Sequence, residues 1–140
     1  MASLQNYNGR FCESEYEYAF ITLLEKEGWQ YLQGNKINRQ TRRDVLYSDD
    51  LENFLSRTNP DLLPDEIHKI MDSVRLVGAE SDFATLHKVY GWMVSGIQFT
   101  PHNGIPRIIS LIDFETPDNN IFRCVNQFAV EYINNGQKET

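Results

Sequence analysis

The sequence predicts an α+β fold in which helices come first and a small sheet follows. Three observations carry this. Between Ser14 and Gly96, apolar residues recur at helical spacing in four blocks. From Ile97 to Ile133 the pattern changes to short apolar runs with two-residue alternation. Turn residues then punctuate the second part: Pro101-His102-Asn103-Gly104, Thr116-Pro117-Asp118-Asn119-Asn120 and Asn134-Asn135-Gly136. A chain of 140 residues suits one domain with a real core, so residues 1–140 are read as a single domain. Within it, residues 1–12 form a loose lead-in, 13–96 are mainly helical, 97–133 hold strands, and 134–140 start an unfinished hairpin.

Each element has a local reason. Ser14 and Glu17 fit a capping box, with Tyr16, Ala19, Phe20, Leu23 and Leu24 as an apolar stripe behind it. Gly28 suits the left-handed residue that closes a helix. Trp29-Gln30-Tyr31-Leu32 reads as a short strand ending at Gly34. Ser48-Asp49-Asp50 caps a second helix with Leu51, Phe54 and Leu55 inward, and Asn59-Pro60 stops it. Pro64 opens a third helix from its first turn, with Ile67, Ile70, Met71, Val74 and Val77 inward. Ser81-Asp82 caps a fourth, with Phe83, Leu86, Val89, Tyr90, Met93 and Val94 inward and Gly96 at its end.

The central stretch, Arg107 to Tyr132, reads as two strands joined by the Thr116–Asn120 turn. In the first, Ile109, Leu111 and Asp113 face one way. Ile108, Ser110, Ile112 and Phe114 face the other. Asp113, Asn120, Asn126 and Gln127 sit in or beside apolar strands, where an unpaired polar group is costly. Near the end, Asn134-Asn135-Gly136 is a strong hairpin signal. Only Gln137-Lys138-Glu139-Thr140 follows it, so the last strand is expected to be a bare apolar edge and the chain the front of something longer.

Composition narrows the function. The formal net charge is −7 and the pI about 4.9, so the chain as a whole is not a basic nucleic-acid binder. The positive charge concentrates at Arg39, Arg42 and Arg43. These are a solvated loop or, since arginine suits phosphate, a DNA contact. Cys12 and Cys124 have no partner at metal-ligand spacing and read as reduced thiols. No apolar run approaches a membrane helix and no signal peptide is evident, so a cytoplasmic protein with no membrane partner is expected. The three histidines specify no metal, the glycines make no phosphate loop, and no serine sits in a nucleophile elbow. Two carboxylates remain. Asp113 could bind a metal, act as acid or base, or accept hydrogen bonds from an adjoining loop. Glu17 could cap its helix or point toward the sheet.

The central residues resemble the N-terminal endonuclease domain of the R (motor) subunit of type I restriction enzymes. The resemblance lies in Leu111-Ile112-Asp113-Phe114, then Pro117-Asp118-Asn119-Asn120, then Asn120-Ile121-Phe122, then Val125-Asn126-Gln127-Phe128-Ala129-Val130. Glu15, Glu17, Ala19, Ile21, Leu24 and Gly28-Trp29 are similar to the family's opening. The likeness runs from about Glu13 to Tyr132. It implies a restriction-endonuclease-like fold of the PD-(D/E)XK kind, here partial and truncated at the C-terminus, with four helices and a small mixed sheet. It implies cleavage of double-stranded DNA with Mg²⁺ after ATP-driven translocation, in complex with modification and specificity subunits. In the family an aspartate after a proline, then a Glu-any-Lys triplet, follow the Val-Asn-Gln-Phe strand. Neither follows Val130 here. The isolated chain is therefore expected to be inactive, to need no cofactor by itself and to hold no metal. Glu17 carries over as a supporting carboxylate, and Asp113, Asn120, Asn126 and Gln127 as structural motif positions. Mg²⁺ and ATP belong to the full-length enzyme. The alternative is a complete, non-enzymatic acidic protein-interaction module that reuses the half-fold. A small independent hydrolase is the weakest reading, because no catalytic constellation is complete.

Overall fold

The structure, a computed structural model, describes residues 12–39, 46–77, 82–134 and 137–139. The chain divides into two compact units. A helical unit spans Asp44–Asn120, and a split unit joins Met1–Arg43 to Ile121–Thr140. The described residues give an α+β protein with four helices and small sheets.

The helical unit holds α2 (Ser48–Thr58), α3 (Pro64–Arg75), α4 (Asp82–Ser95), β2 (Ile97–Phe99) and β3 (Arg107–Ile109). Its core is Phe54, Leu55, Leu62, Ile67, Ile70, Met71, Ile97 and Ile109, so α2, α3 and the β2–β3 hairpin share one apolar centre. The inward residues expected for α2 and α3 are there: Phe54, Leu55, Ile67, Ile70 and Met71 are buried, and Leu51 and Val74 pack against them. Pro64 takes the first turn of α3, where its missing N–H costs nothing. Ser48 is not the cap expected of it. Tyr47 holds that place, and the Ser48 hydroxyl accepts a hydrogen bond from Arg75 Nη2 at 2.6 Å. The two strands run antiparallel, with Ile97 opposite Ile109 and Phe99 opposite Arg107. Gly96 makes the step from α4 into β2 possible. Its φ is +80°, and a Cβ there would lie 2.6 Å from the Ile109 carbonyl oxygen.

The fourth helix corrects the sequence reading. Phe83, Leu86, Tyr90, Met93 and Val94, expected inward, are exposed, and α4 has no buried residue. Val89, also expected inward, is half-buried as expected, beside Thr85 and Trp92, and Trp92 packs on the core. Helical spacing defines both stripes equally well, and it is the Trp92 indole, not the Phe83–Leu86–Tyr90 row, that packs on the core.

The split unit holds α1 (Glu13–Lys26), β1 (Gln30–Gln33), β4 (Arg123–Asn126), β5 (Tyr132–Asn134) and β6 (Gln137–Glu139). β1 and β4 pair in parallel, with Gln30 opposite Arg123 and Gln33 opposite Asn126. The Arg107–Tyr132 stretch is therefore not a pair of mutually bonded strands. Only Arg107–Ile109 pairs with β2 and Arg123–Asn126 with β1, and residues 110–114, expected to continue the first strand, lie in no strand. The expected mixed sheet is three separate two-stranded ladders among the described residues. The terminal hairpin is not unfinished: Tyr132 pairs with Glu139 and Asn134 with Gln137.

The first helix begins earlier than Ser14. Cys12 caps it, and the Glu15 carboxylate accepts the Cys12 N–H at 2.8 Å, so Glu15 fills the role expected of Glu17. Its buried residue is Ile21, whereas Tyr16, Phe20 and Leu23 of the expected stripe are exposed. Gly28 closes the helix as expected, at φ +90°.

Candidate functional site

The sequence-selected residues fall into two polar clusters, one in each unit. In the helical unit, the chain leaves β3 at Ser110 and turns through a short 3₁₀ segment, Pro117–Asn119. Asp113 and Asn120 close this loop reciprocally. The Asp113 N–H donates to Asn120 Oδ1 at 2.9 Å, and Asn120 Nδ2 donates to the Asp113 carbonyl at 2.7 Å and to that of Pro117 at 3.0 Å. The Asp113 carboxylate is fully engaged by the same loop. Its Oδ2 accepts Asn119 Nδ2 at 2.8 Å, and its Oδ1 accepts the N–H groups of Thr116 at 2.8 Å and Glu115 at 3.0 Å. The Asn119 amide, and then the Thr116 N–H, hold its carboxyl below the usual aspartate range. Asp113 thus organises the loop as an ionised acceptor. Arg57 Nη2 donates to the Asn119 carbonyl and fastens the turn to α2.

In the split unit, Asn126 and Gln127 sit at the C-terminal end of the parallel β1–β4 pair, a common place for ligands in α/β sheets. Asn126 Oδ1 accepts the Tyr31 hydroxyl at 2.8 Å. Gln127 adopts φ +53°, a left-handed backbone that costs a non-glycine residue about 1–2 kcal/mol. Gly34 accounts for the close approach there. A Cβ on Gly34 would lie 2.5 Å from the Gln127 carbonyl oxygen and 2.6 Å from that of Asn126. The kink turns the Gln127 side chain toward α1, where Nε2 lies 3.4 Å from Glu17 Oε1. Glu17, released from capping by Glu15, is half-buried on the same helix as Ile21.

Arg39 belongs to this unit too. Its Nη2 donates to the Ala129 carbonyl at 2.9 Å, and its guanidinium lies 4.2 Å from the centre of the Phe128 ring. It pins the segment after β1 to the chain beyond β4. Arg42 and Arg43 lie outside the described residues.

Three contributors were missed by the sequence reading: Tyr31, Gly34 and the buried Glu66. Glu66 Oε2 caps α3 by accepting the Leu63 N–H at 2.8 Å. Its Oε1 accepts the His102 N–H at 2.7 Å and lies 2.8 Å from His102 Nδ1. The Leu63 N–H, then the His102 N–H and ring, hold its carboxyl at about 2, far below the ordinary 4.5. Glu66 at the third position after Leu63, behind Pro64, was the available signal of a cap.

The donors do not fit Mg²⁺. Among the described residues no group of three His, Cys, Asp or Glu side chains could hold a metal ion. Asp113 spends its oxygens on its own loop, and among the described residues no group of carboxylates gathers at Glu17 and Gln127.

Fold and clusters define a class: an α+β module whose described motif polar residues build loops and strand ends. Residues 11–140 match the family described as type I restriction enzyme R protein N terminus, and the chain belongs to that family. It is also similar to a protein of Methanocaldococcus jannaschii named for the MjaIXP type I restriction enzyme, as its endonuclease subunit. The two are 29% identical over 125 residues, which cover 83% of this chain and 12% of the relative. The chain thus spans about an eighth of that curated relative's length. No solved structure matches it.

Proposed function

We propose that this chain serves as the N-terminal part of the nuclease region of a type I restriction R subunit. The whole enzyme, in this reading, cleaves double-stranded DNA with Mg²⁺ after ATP-dependent translocation, in the cytoplasm, beside modification and specificity subunits. The observation that carries it is the family match across residues 11–140. Residues 1–140 alone are catalytically inactive, because no Glu-any-Lys triplet follows the Val125–Phe128 motif. Asp113 and Asn120 shape one loop, Asn126 and Gln127 end the parallel pair, and Glu17 supports that end. Arg39, Arg42 and Arg43 are the candidates for contact with the DNA backbone. A restriction-endonuclease-like sheet would then be completed by further strands.

The test is to read the source gene beyond codon 140 and express the longest open frame beside residues 1–140. The frame is expected to continue through a proline–aspartate step into Glu-any-Lys. The longer protein is then expected to nick plasmid DNA with Mg²⁺, and residues 1–140 to leave it intact. A frame that stops at Thr140 removes the nuclease reading. The second reading, an acidic interaction module, would then stand. The net charge of −7 and the exposed apolar face of α4 favour it.

A further inference from the structure

The outward stripe of α4 is large, continuous and directional. Phe83 is 81% exposed, Leu86 70%, Tyr90 67% and Val94 53%. Their spacing places them on one side over three turns, roughly 17 Å of helix. Soluble proteins rarely expose apolar patches beyond a few hundred Å², and those that do commonly use them. At its C-terminal end the stripe runs into a cleft of about 470 Å³ in the same unit. Met93, Val94, Ile108 and Phe114 give that cleft apolar walls, and Asp113 and Glu115 bring carboxylates to it. Among the described residues no lysine, arginine or histidine lines it.

Charge selects the occupant. A second copy of this chain would bring another net charge of −7 and set carboxylates near carboxylates. A lysine or arginine fits better: its stem lies on Phe114 and Ile108, and its head meets the exposed Glu115 carboxylate. The form of the stripe selects a helix, since a straight three-turn row accepts another helix by interdigitation of ridges.

The geometry points to α4 and its adjoining cleft as the docking groove for a basic amphipathic helix of a partner protein. Its apolar side lies along Phe83, Leu86, Tyr90 and Val94, and a lysine or arginine near one end enters the cleft. This is the helix-in-groove mode of recognition. It rests on the helical unit alone and holds under either reading of the whole protein.

The test uses the 140-residue chain and a fluorescent synthetic peptide of leucine and lysine patterned as a three-turn amphipathic helix. Binding is read by anisotropy. A leucine–glutamate peptide of the same pattern and a lysine-rich peptide with no apolar side serve as comparisons. The leucine–lysine peptide is expected to bind, and both others at least about tenfold more weakly. Tyr90→Glu is expected to weaken binding about tenfold or more, as for aromatic anchors elsewhere. Glu115→Lys should weaken it by several-fold. Both positions are exposed, and far-UV circular dichroism verifies that each variant is folded. Equal binding of the three peptides, or unchanged binding by Tyr90→Glu, overturns the proposal. So does a dimer in sedimentation equilibrium that Tyr90→Glu dissolves, which assigns the groove to a second copy.

Discussion

The two units are held together by different physics. In the helical unit, eight buried apolar residues from two helices, the loop between them and a hairpin form one cluster. In the split unit the described buried hydrophobics are Ile21 and Ile37. What remains there is a four-residue parallel ladder, a few polar side-chain contacts, a guanidinium on a ring and a strained glutamine. The first arrangement is stable because apolar area leaves water. The second depends on a backbone approach that glycine alone permits. The comparison teaches where change is expensive: at apolar volume in one unit, and at backbone geometry in the other.

The largest expected effect sharpens that contrast. Ile70 is fully buried at the centre of the helical unit. Ile70→Ala removes several methyl and methylene groups from close packing and should cost about 2–5 kcal/mol. Ile21→Ala, at the margin of a much smaller apolar contact, should cost clearly less. Urea titrations of the two variants provide the check, and equal losses would show that the split unit has a core of comparable weight.

Next comes Gly34→Ala. The added methyl meets the backbone oxygens of Gln127 and Asn126, and a backbone cannot yield as a side-chain tip does. Roughly 1–3 kcal/mol is expected, in the range of overpacked sites. Hydrogen exchange should show it as faster opening of β1 and β4, with β2 and β3 little changed. Uniform exchange changes in all four strands would break the distinction between the units.

A third prediction concerns acid. The folded state holds the Glu66 carboxyl at about 2, against an ordinary 4.5. The sign follows from linkage. Because the folded value is depressed, the ionised Glu66 contributes stability that is fully present above pH 4.5 and is lost as pH falls toward 2. Glu66→Gln should therefore be less stable than the native chain near neutrality, and the gap should narrow through that window. Urea midpoints from pH 7 to pH 2 report it directly. A gap independent of pH would mean that Glu66 acts by shape rather than charge.

The sequence was legible where local chemistry and packing agree. Phe54, Leu55, Ile67, Ile70 and Met71 were readable from periodicity, Pro64 from its place at a helix start, and Gly28 from its place at a helix end. The loop role of Asp113 was one of the options open from sequence, and its carboxylate accepts three hydrogen bonds from that loop. Pairing was not legible. Nothing in Arg107–Ile109 says that β2 is its neighbour rather than β4, because both are short, apolar and bounded by turns. Nor was the orientation of α4, where two stripes compete and Trp92 decides. Capping misled by two residues at α1, since Glu15 and Glu17 both follow a small polar or sulfur side chain by three. Local patterns fix elements; partners come from long-range packing, which a local pattern does not contain.

The smallest expected effect tests the strained position itself. Gln127 stays at φ +53° although the left-handed region costs a side-chain-bearing residue about 1–2 kcal/mol. Glycine would escape that cost but would lose more chain entropy on folding, about 0.5–1 kcal/mol. Gln127→Gly should thus stabilise the chain by up to about 1 kcal/mol while deleting the amide that faces Glu17. Gln127→Ala keeps the strain and also deletes the amide, so it should be less stable than the native chain. The order glycine, glutamine, alanine in urea midpoint would show that the amide gives back less than the backbone gives up. A native protein that retains the costlier residue is then holding Gln127 for its side chain at the end of the parallel pair, as a site would and a mere turn would not. The order glutamine, glycine, alanine would instead make the Glu17 contact a stabilising element in its own right, and the strain no sign of function.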